Sequence, residues 1–384
     1  MAANLVTAPM EGQRDTATAA PTSKLRYLGR LAAELHVEIA KDLEKEDLRS
    51  LRRVSRSLAK DTFDVFAEKN FTNLSCRLTT RSLDNVRNIS ATPQFVRYVK
   101  STAFDTGSGY KPELSWPAHV TEIELAYMEV HHVVEVRAPE GNDILLGDIF
   151  SNFARCGSAK CIALNTTEES FVPALHSVAI ALTTSGHVVE ELHCSIEKRV
   201  PPVWDSPARD CYKKLNFFAA IEFARVAQAT WSKLRAIQVH HPGQGNFSTY
   251  IRSALGTLIG AAYSVQELTL RVPSGLVWHV IGRYLTDRHN LRTLKLLGSK
   301  GDREFCHWEL RAILSVTAHS LETFMLEDIK LSLGHGMDSV EVKQDRLSYS
   351  LHLSRFSCRD LQTTDLPFVD SRLLVEKATF NLRQ

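Results

Sequence analysis

No run in this sequence approaches the roughly 20 apolar residues that a membrane-spanning helix needs. The longest candidate, Ser253 to Ala262, is too short. Charge of one sign is lacking too. The 46 Lys and Arg against 44 Asp and Glu leave +2 over 384 residues, so nothing global attracts nucleic acid or an anionic membrane surface. Cysteine is sparse and odd in number. The seven residues Cys76, Cys156, Cys161, Cys194, Cys211, Cys306 and Cys358 are scattered, which argues against a disulfide framework and for a reducing compartment, cytoplasmic or nuclear. The N-terminus has no basic segment followed by an apolar run, so no secretory signal is expected. The N-x-Ser/Thr sequons at Asn70, Asn73, Asn88, Asn165 and Asn246 then read as chance.

A catalytic constellation is also missing. Gly107-Ser108-Gly109 lacks the strand-to-helix setting of a phosphate loop. Gly256 and Gly260, four apart in a short apolar run, suggest close helix packing rather than a membrane dimer face. Cys156 and Cys161 have no second pair at zinc spacing. His131-His132, His240-His241 and His193-Cys194 do not place two histidines on one face. His36 and Glu38 are two apart on a helix and face different ways. The expectation is no catalytic residue, no cofactor and no metal site.

What is present is a change of period along the chain. Residues 1–22 are rich in Ala and Thr and poor in large apolar groups, the composition of a disordered tail. From 23 to 70 the pattern is helical. Leu28, Leu31, Leu35, Ile39 and Leu43 share one face, and Leu48, Leu51, Val54 and Leu58 share another. A third short piece carries Phe63 and Phe66. Residues 71–115 read as a helical linker, with helices over Ser82–Ile89 and Pro93–Val99 and Pro93 at a first helical position.

From 116 to 333 an apolar-x-x-apolar-x-apolar motif recurs: Val120/Ile123/Leu125, Ala159/Ile162/Leu164, Val189/Leu192/Cys194, Leu234/Ile237/Val239, Val265/Leu268/Leu270, Leu291/Leu294/Leu296 and Leu321/Phe324/Leu326. The motif ends alternate as half-buried strands do, and helical patterns at 276–285 and 305–316 separate the later copies. Successive starts lie 39, 30, 45, 31, 26 and 30 residues apart, longer than the about 20 to 29 of leucine-rich repeats. The predicted fold is α/β: an irregular leucine-rich-repeat-like strand-helix solenoid with a parallel sheet. Residues 334–384 are assigned to a capping segment, with weak strands at Ser348/Leu351/Leu353 and Val375/Ala378/Phe380.

The N-terminal unit reads Leu31-x-x-Glu34-Leu35-x-x-x-Ile39-x-x-x-Leu43-x-x-x-Asp47-Leu48-x-x-Leu51-x-x-Val54-Ser55-Arg56. This resembles the F-box, with Ala32 where that family usually has proline. The stretch Ile89 to Asp105 resembles the region after the F-box in many fungal F-box proteins. The resemblance implies a three-helix F-box module that binds a Skp-family linker and, through it, a cullin scaffold. The C-terminal part would recruit a protein client for ubiquitination. Carried over by position, Leu31, Leu35, Ile39, Leu48, Leu51 and Val54 divide between the module's own core and its linker-facing surface. The expected function is a non-catalytic ligase adaptor. The alternative is a repeat-type interaction scaffold without ligase linkage, and a further one is an enzyme with a site that no motif reveals.

In a stacked array the residue between the last two apolar positions of each motif faces away from the helices. That position gives Glu124, Ala163, His193, Gln238, Thr269, Lys295 and Met325. The client contacts are expected at His193, Gln238, Thr269, Lys295 and Met325. The mixed character of this ladder suits a protein segment read by shape and local hydrogen bonds, with little dependence on salt.

Overall fold

The computed structural model describes residue 28, residues 30–106, 141–197, 223–241 and 249–272, and shorter stretches between 281 and 363. The chain forms two compact units, Met1–Asn70 and Phe71–Gln384.

The first unit is helical: α1 (Ala33–Asp42), α2 (Lys45–Val54), α3 (Arg56–Asp61) and α4 (Phe63–Phe71). The apolar pattern through Leu58 predicts one continuous second helix. Instead α2 stops at Val54, and Ser55 caps α3 by accepting a bond from the Leu58 N–H at 3.1 Å. A serine there satisfies a helix-start donor and restarts the chain in a new direction. Acidic Glu46 and Asp47 open α2 while Arg52 and Arg53 close it, in keeping with the helix dipole. The guanidinium of Arg52 lies 4.2 Å from the centre of the Phe66 ring and donates to the Ala59 carbonyl. One side chain thereby ties α2, α3 and α4 together. Lys69 ties α4 to α1: its ammonium donates to the carbonyls of Lys41 and Leu43 at 2.6 Å and of Ala40 at 3.3 Å. Those are carbonyls a helix C-terminus leaves without intrahelical partners, and a cation there also meets the negative end of the dipole.

The second unit is an α/β structure around one parallel sheet of nine strands: β1 (Asn73–Arg77), β2 (Ser101–Asp105), β3 (Cys161–Thr167), β4 (Glu191–Glu197), β5 (Ala236–His240), β6 (Glu267–Arg271), β7 (Thr293–Leu297), β9 (Thr323–Glu327) and β11 (Arg355–Arg359). They lie side by side in chain order. A doubly wound sheet would reverse that order at some point. A second parallel sheet joins β8 (Phe305–Cys306), β10 (Lys330–Ser332) and β12 (Gln362–Thr363), so each of the last three long strands is followed by a short one. Phe305, assigned to a helix from its spacing, is therefore in a strand.

The register is constant. Leu74, Thr102, Ile162, Leu192, Ile237, Leu268, Leu294, Phe324 and Phe356 are neighbours across the sheet. The intervals between them are 28, 60, 30, 45, 31, 26, 30 and 32 residues. Every motif residue from Ala159 to Phe324 named above is buried. The full burial of a Leu or Ile side chain contributes about 1.5–3 kcal/mol, and one such ladder repeats in every unit. Each strand entry also repeats one bond pattern: the Glu190 carbonyl accepts from Arg235 and Ala236, that of Arg235 from Gln266 and Glu267, and that of Gln266 from Arg292 and Thr293.

Two expectations change. The stretch 71–115, predicted as helical, holds α5 (Thr80–Ala91) and α6 (Pro93–Val96) but also β1 and β2, so the sheet begins at Asn73 rather than near 116. The strand Ser101–Asp105 was hidden because its buried positions are Thr102 and Phe104, which do not complete a leucine motif. The motif copy at Val120 and the weak strands at 348–353 and 375–380 lie outside the described residues. The predicted capping segment contributes β11 and β12.

The helices α7 (Gly141–Cys156), α8 (Phe171–Ser185) and α9 (Thr249–Ala261) follow α5 as crossovers, and the neighbours α5–α7, α7–α8 and α8–α9 pack against one another in that sequence. They cover one face only. Along β1, β3, β4, β5, β6 and β7 buried residues alternate with accessible ones. A parallel sheet covered on both faces would read as continuous apolar runs. Gly256 and Gly260 do mark close packing: a Cβ at Gly256 would sit 2.1 Å from Cε2 of Tyr284, and one at Gly260 3.4 Å from its ring.

Candidate functional site

Each unit presents one surface built from the residues singled out above. In the N-terminal unit the six positions separate by burial. Leu48 is fully buried, and Ile39 and Leu51 are half-buried. Leu31, Leu35 and Val54 are exposed by 37%, 49% and 45%. They are three of the five exposed large apolar side chains among the described residues. The spacing leaves open which of these residues are core; in the structure the buried residues of α1 are His36 and Ala40.

His36 explains how a polar group can occupy that place. Its Nδ1 lies 2.9 Å from Oδ2 of Asp61 and its Nε2 2.7 Å from the Leu28 carbonyl oxygen. Both ring nitrogens face acceptors, so the protonated ring is fully satisfied. The Leu28 carbonyl, and after it Asp61, raise the His36 pKa above the ordinary imidazole value. The hydrogen bond from His36 in turn holds Asp61 below its ordinary value. Spacing could not find this pair, because the partners are 25 residues apart and on different helices.

In the second unit the surface is the sheet face whose side chains stay accessible among the described residues. Ala163, His193, Gln238, Thr269, Lys295 and Met325 are direct neighbours across β3, β4, β5, β6, β7 and β9. Glu124 lies outside the described residues, and the strand neighbour of Ala163 on that side is Ala103. His193, Gln238, Thr269 and Lys295 line one groove of about 360 Å³, together with Glu191 and Glu267. Met325 continues the row on the next strand. The groove is polar and carries both signs of charge. Beside it, Lys160 bonds to Glu190, and Arg235 lies 3.7 Å from that same carboxylate. Lys160 first, and Arg235 with it, keep Glu190 below the ordinary carboxylate range.

A third arrangement, not visible in the sequence, sits on β3 and β4 on this face. Cys161 and Glu191 are partners across the two strands, and His193 follows two residues on, on the same side. The sulfur, a carboxylate oxygen and an imidazole nitrogen all lie within 4.8 Å of one another. Cys161 is half-buried, and burial and the Glu191 carboxylate push its thiol up to about 11. Cys76, Cys156 and Cys194 are likewise free thiols.

No helix among the described residues is long and apolar enough to cross a membrane. In comparisons with known proteins, no family model and no curated protein matches the chain.

Proposed function

We propose that this chain is a non-catalytic, intracellular adaptor of a cullin-type ubiquitin ligase, with the N-terminal helices binding a Skp-family linker and the open sheet face holding a protein client. The observation that carries the reading is the exposure of Leu31, Leu35 and Val54 in the N-terminal unit. A small helical unit that buries a histidine while leaving Leu31, Leu35 and Val54 37–49% exposed forgoes up to about half of the roughly 1.5–3 kcal/mol that full burial of each side chain contributes. A partner that covers them recovers that energy, and apolar exposure of this kind marks interaction surfaces. These are also positions at which the sequence resembles the F-box. The parallel strands supply the other half of an adaptor, a rigid face with a polar groove, and the gain from joining the two is one of effective concentration.

The test is co-purification of the full chain with a Skp-family protein. Replacing Leu35 and Val54 together by Asp places charges on side chains already in water, so the helices stay folded while linker binding is lost. A folded double variant that still retains the linker sinks the proposal.

A further inference from the structure

We propose that Cys161, Glu191 and His193 form a binding site for a divalent transition-metal cation of the zinc class on the open face of the sheet. The three donors are a sulfur, an oxygen and a nitrogen, a set that suits a borderline-soft cation better than calcium or magnesium, which take oxygen alone. Zinc bonds of about 2.0–2.3 Å put tetrahedral ligand atoms roughly 3.5 Å apart. The three ligand atoms now lie within 4.8 Å of one another.

The backbone beneath is already in place. Cys161 and Glu191 face each other in the β3–β4 register, and that register runs unbroken from Cys161↔Glu191 to Thr167↔Glu197. Sites on regular strands hold their ligands more tightly than sites on loops. Neighbouring charges are arranged to match. Lys160 and Arg235 engage Glu190 and not Glu191, while the carboxylate of Glu191 has the Cys161 thiol and the His193 ring beside it, the latter at 3.9 Å. On binding, the S–H bond breaks and one proton goes to solvent. Sulfur, carboxylate oxygen and neutral imidazole nitrogen each donate a lone pair, and nothing is oxidised or reduced. Three protein ligands leave a fourth position for water or for a donor group of a bound segment. Glu191 and His193 line the groove as well.

The experiment titrates the full-length, reduced and metal-stripped chain with Co²⁺ and then Zn²⁺. The expected result is one Co²⁺ per chain, a thiolate-to-cobalt charge-transfer band, and displacement of that band by Zn²⁺. Cys161→Ser removes the band. His193→Gln, a change at a solvent-facing position, weakens binding by at least the roughly tenfold that even an outer-shell loss costs. Cys156→Ser, an exposed thiol outside the trio, changes neither. Circular dichroism checks that each variant is folded. Absence of the band in the unmodified chain, its survival in Cys161→Ser, or unchanged affinity in His193→Gln each overturns the site.

Discussion

Nδ1 of His36 lies 2.9 Å from Oδ2 of Asp61, joining α1 to α3 inside the N-terminal unit. The ring is buried and its other nitrogen is held by the Leu28 carbonyl.

Because the folded pKa of His36 is raised, the stability it contributes is fully present below its unfolded value of about 6.5 and is lost as pH rises through the higher folded value. Asp61 has the opposite sign. Its folded pKa is lowered, so its contribution is present above its unfolded value and is lost as pH falls through the lower folded one. The N-terminal helices are therefore most stable between the two unfolded values, about 3.8 and 6.5, and lose stability on either side as pH moves towards the folded values. Urea melts across pH, followed by a probe in α1, should show that window. Asp61→Asn should remove the acid flank and weaken the alkaline one, which the Leu28 carbonyl still sustains, and an unchanged profile in that variant would remove the pair from the account.

Leu48 is fully buried where Leu35 is half in water. Leu48→Ala should cost about 2–5 kcal/mol and unfold the N-terminal helices, whereas Leu35→Asp should leave their melting nearly unchanged. Equal losses in the two variants would mean that the stripe is core after all.

Ala32 precedes α1 with φ −62°, a value proline adopts without strain. Ala32→Pro should raise stability by about 0.4–1 kcal/mol through the unfolded chain and keep linker binding. A fall in melting temperature with loss of binding would show that helix entry needs the alanine backbone.

Gly256→Ala drives a methyl group into the ring of Tyr284 and should cost about 1–3 kcal/mol. Gly260→Ala, with its nearest ring atom at 3.4 Å, should cost less. The contrast is read from paired thermal melts, with Tyr284→Ala relieving the first variant only. Equal effects of the two alanines would reject the close approach.

Replacing Gln238, Thr269 and Lys295 together should weaken client capture and leave linker binding intact, since all three line one groove. Capture should depend weakly on salt, because Lys295 and Arg235 are offset by Glu191 and Glu267 along the same face. Full capture by the triple variant would move the contact to another surface.

The strands β3 to β7 and β9 were legible because their signal is local: an apolar-x-apolar alternation fixes which side chains turn inward whatever the neighbours are. The same periodicity placed His193, Gln238, Thr269, Lys295 and Met325 in one row before any pairing was known. It did not find β2, whose inner face holds Thr102 beside Phe104, because a threonine carries no hydrophobic signal. On α1 it marked the stripe and left its side open. Periodicity says that Leu31 and Leu35 share a face, but only the placing of Asp61 and Lys69 from later helices decides which face turns inward. The meeting of Cys161 with Glu191 and His193 likewise depends on strand register, between positions 30 residues apart in the chain. Repeating local patterns are written in the sequence; contacts between side chains distant along it exist only once the backbone has been folded to bring them together.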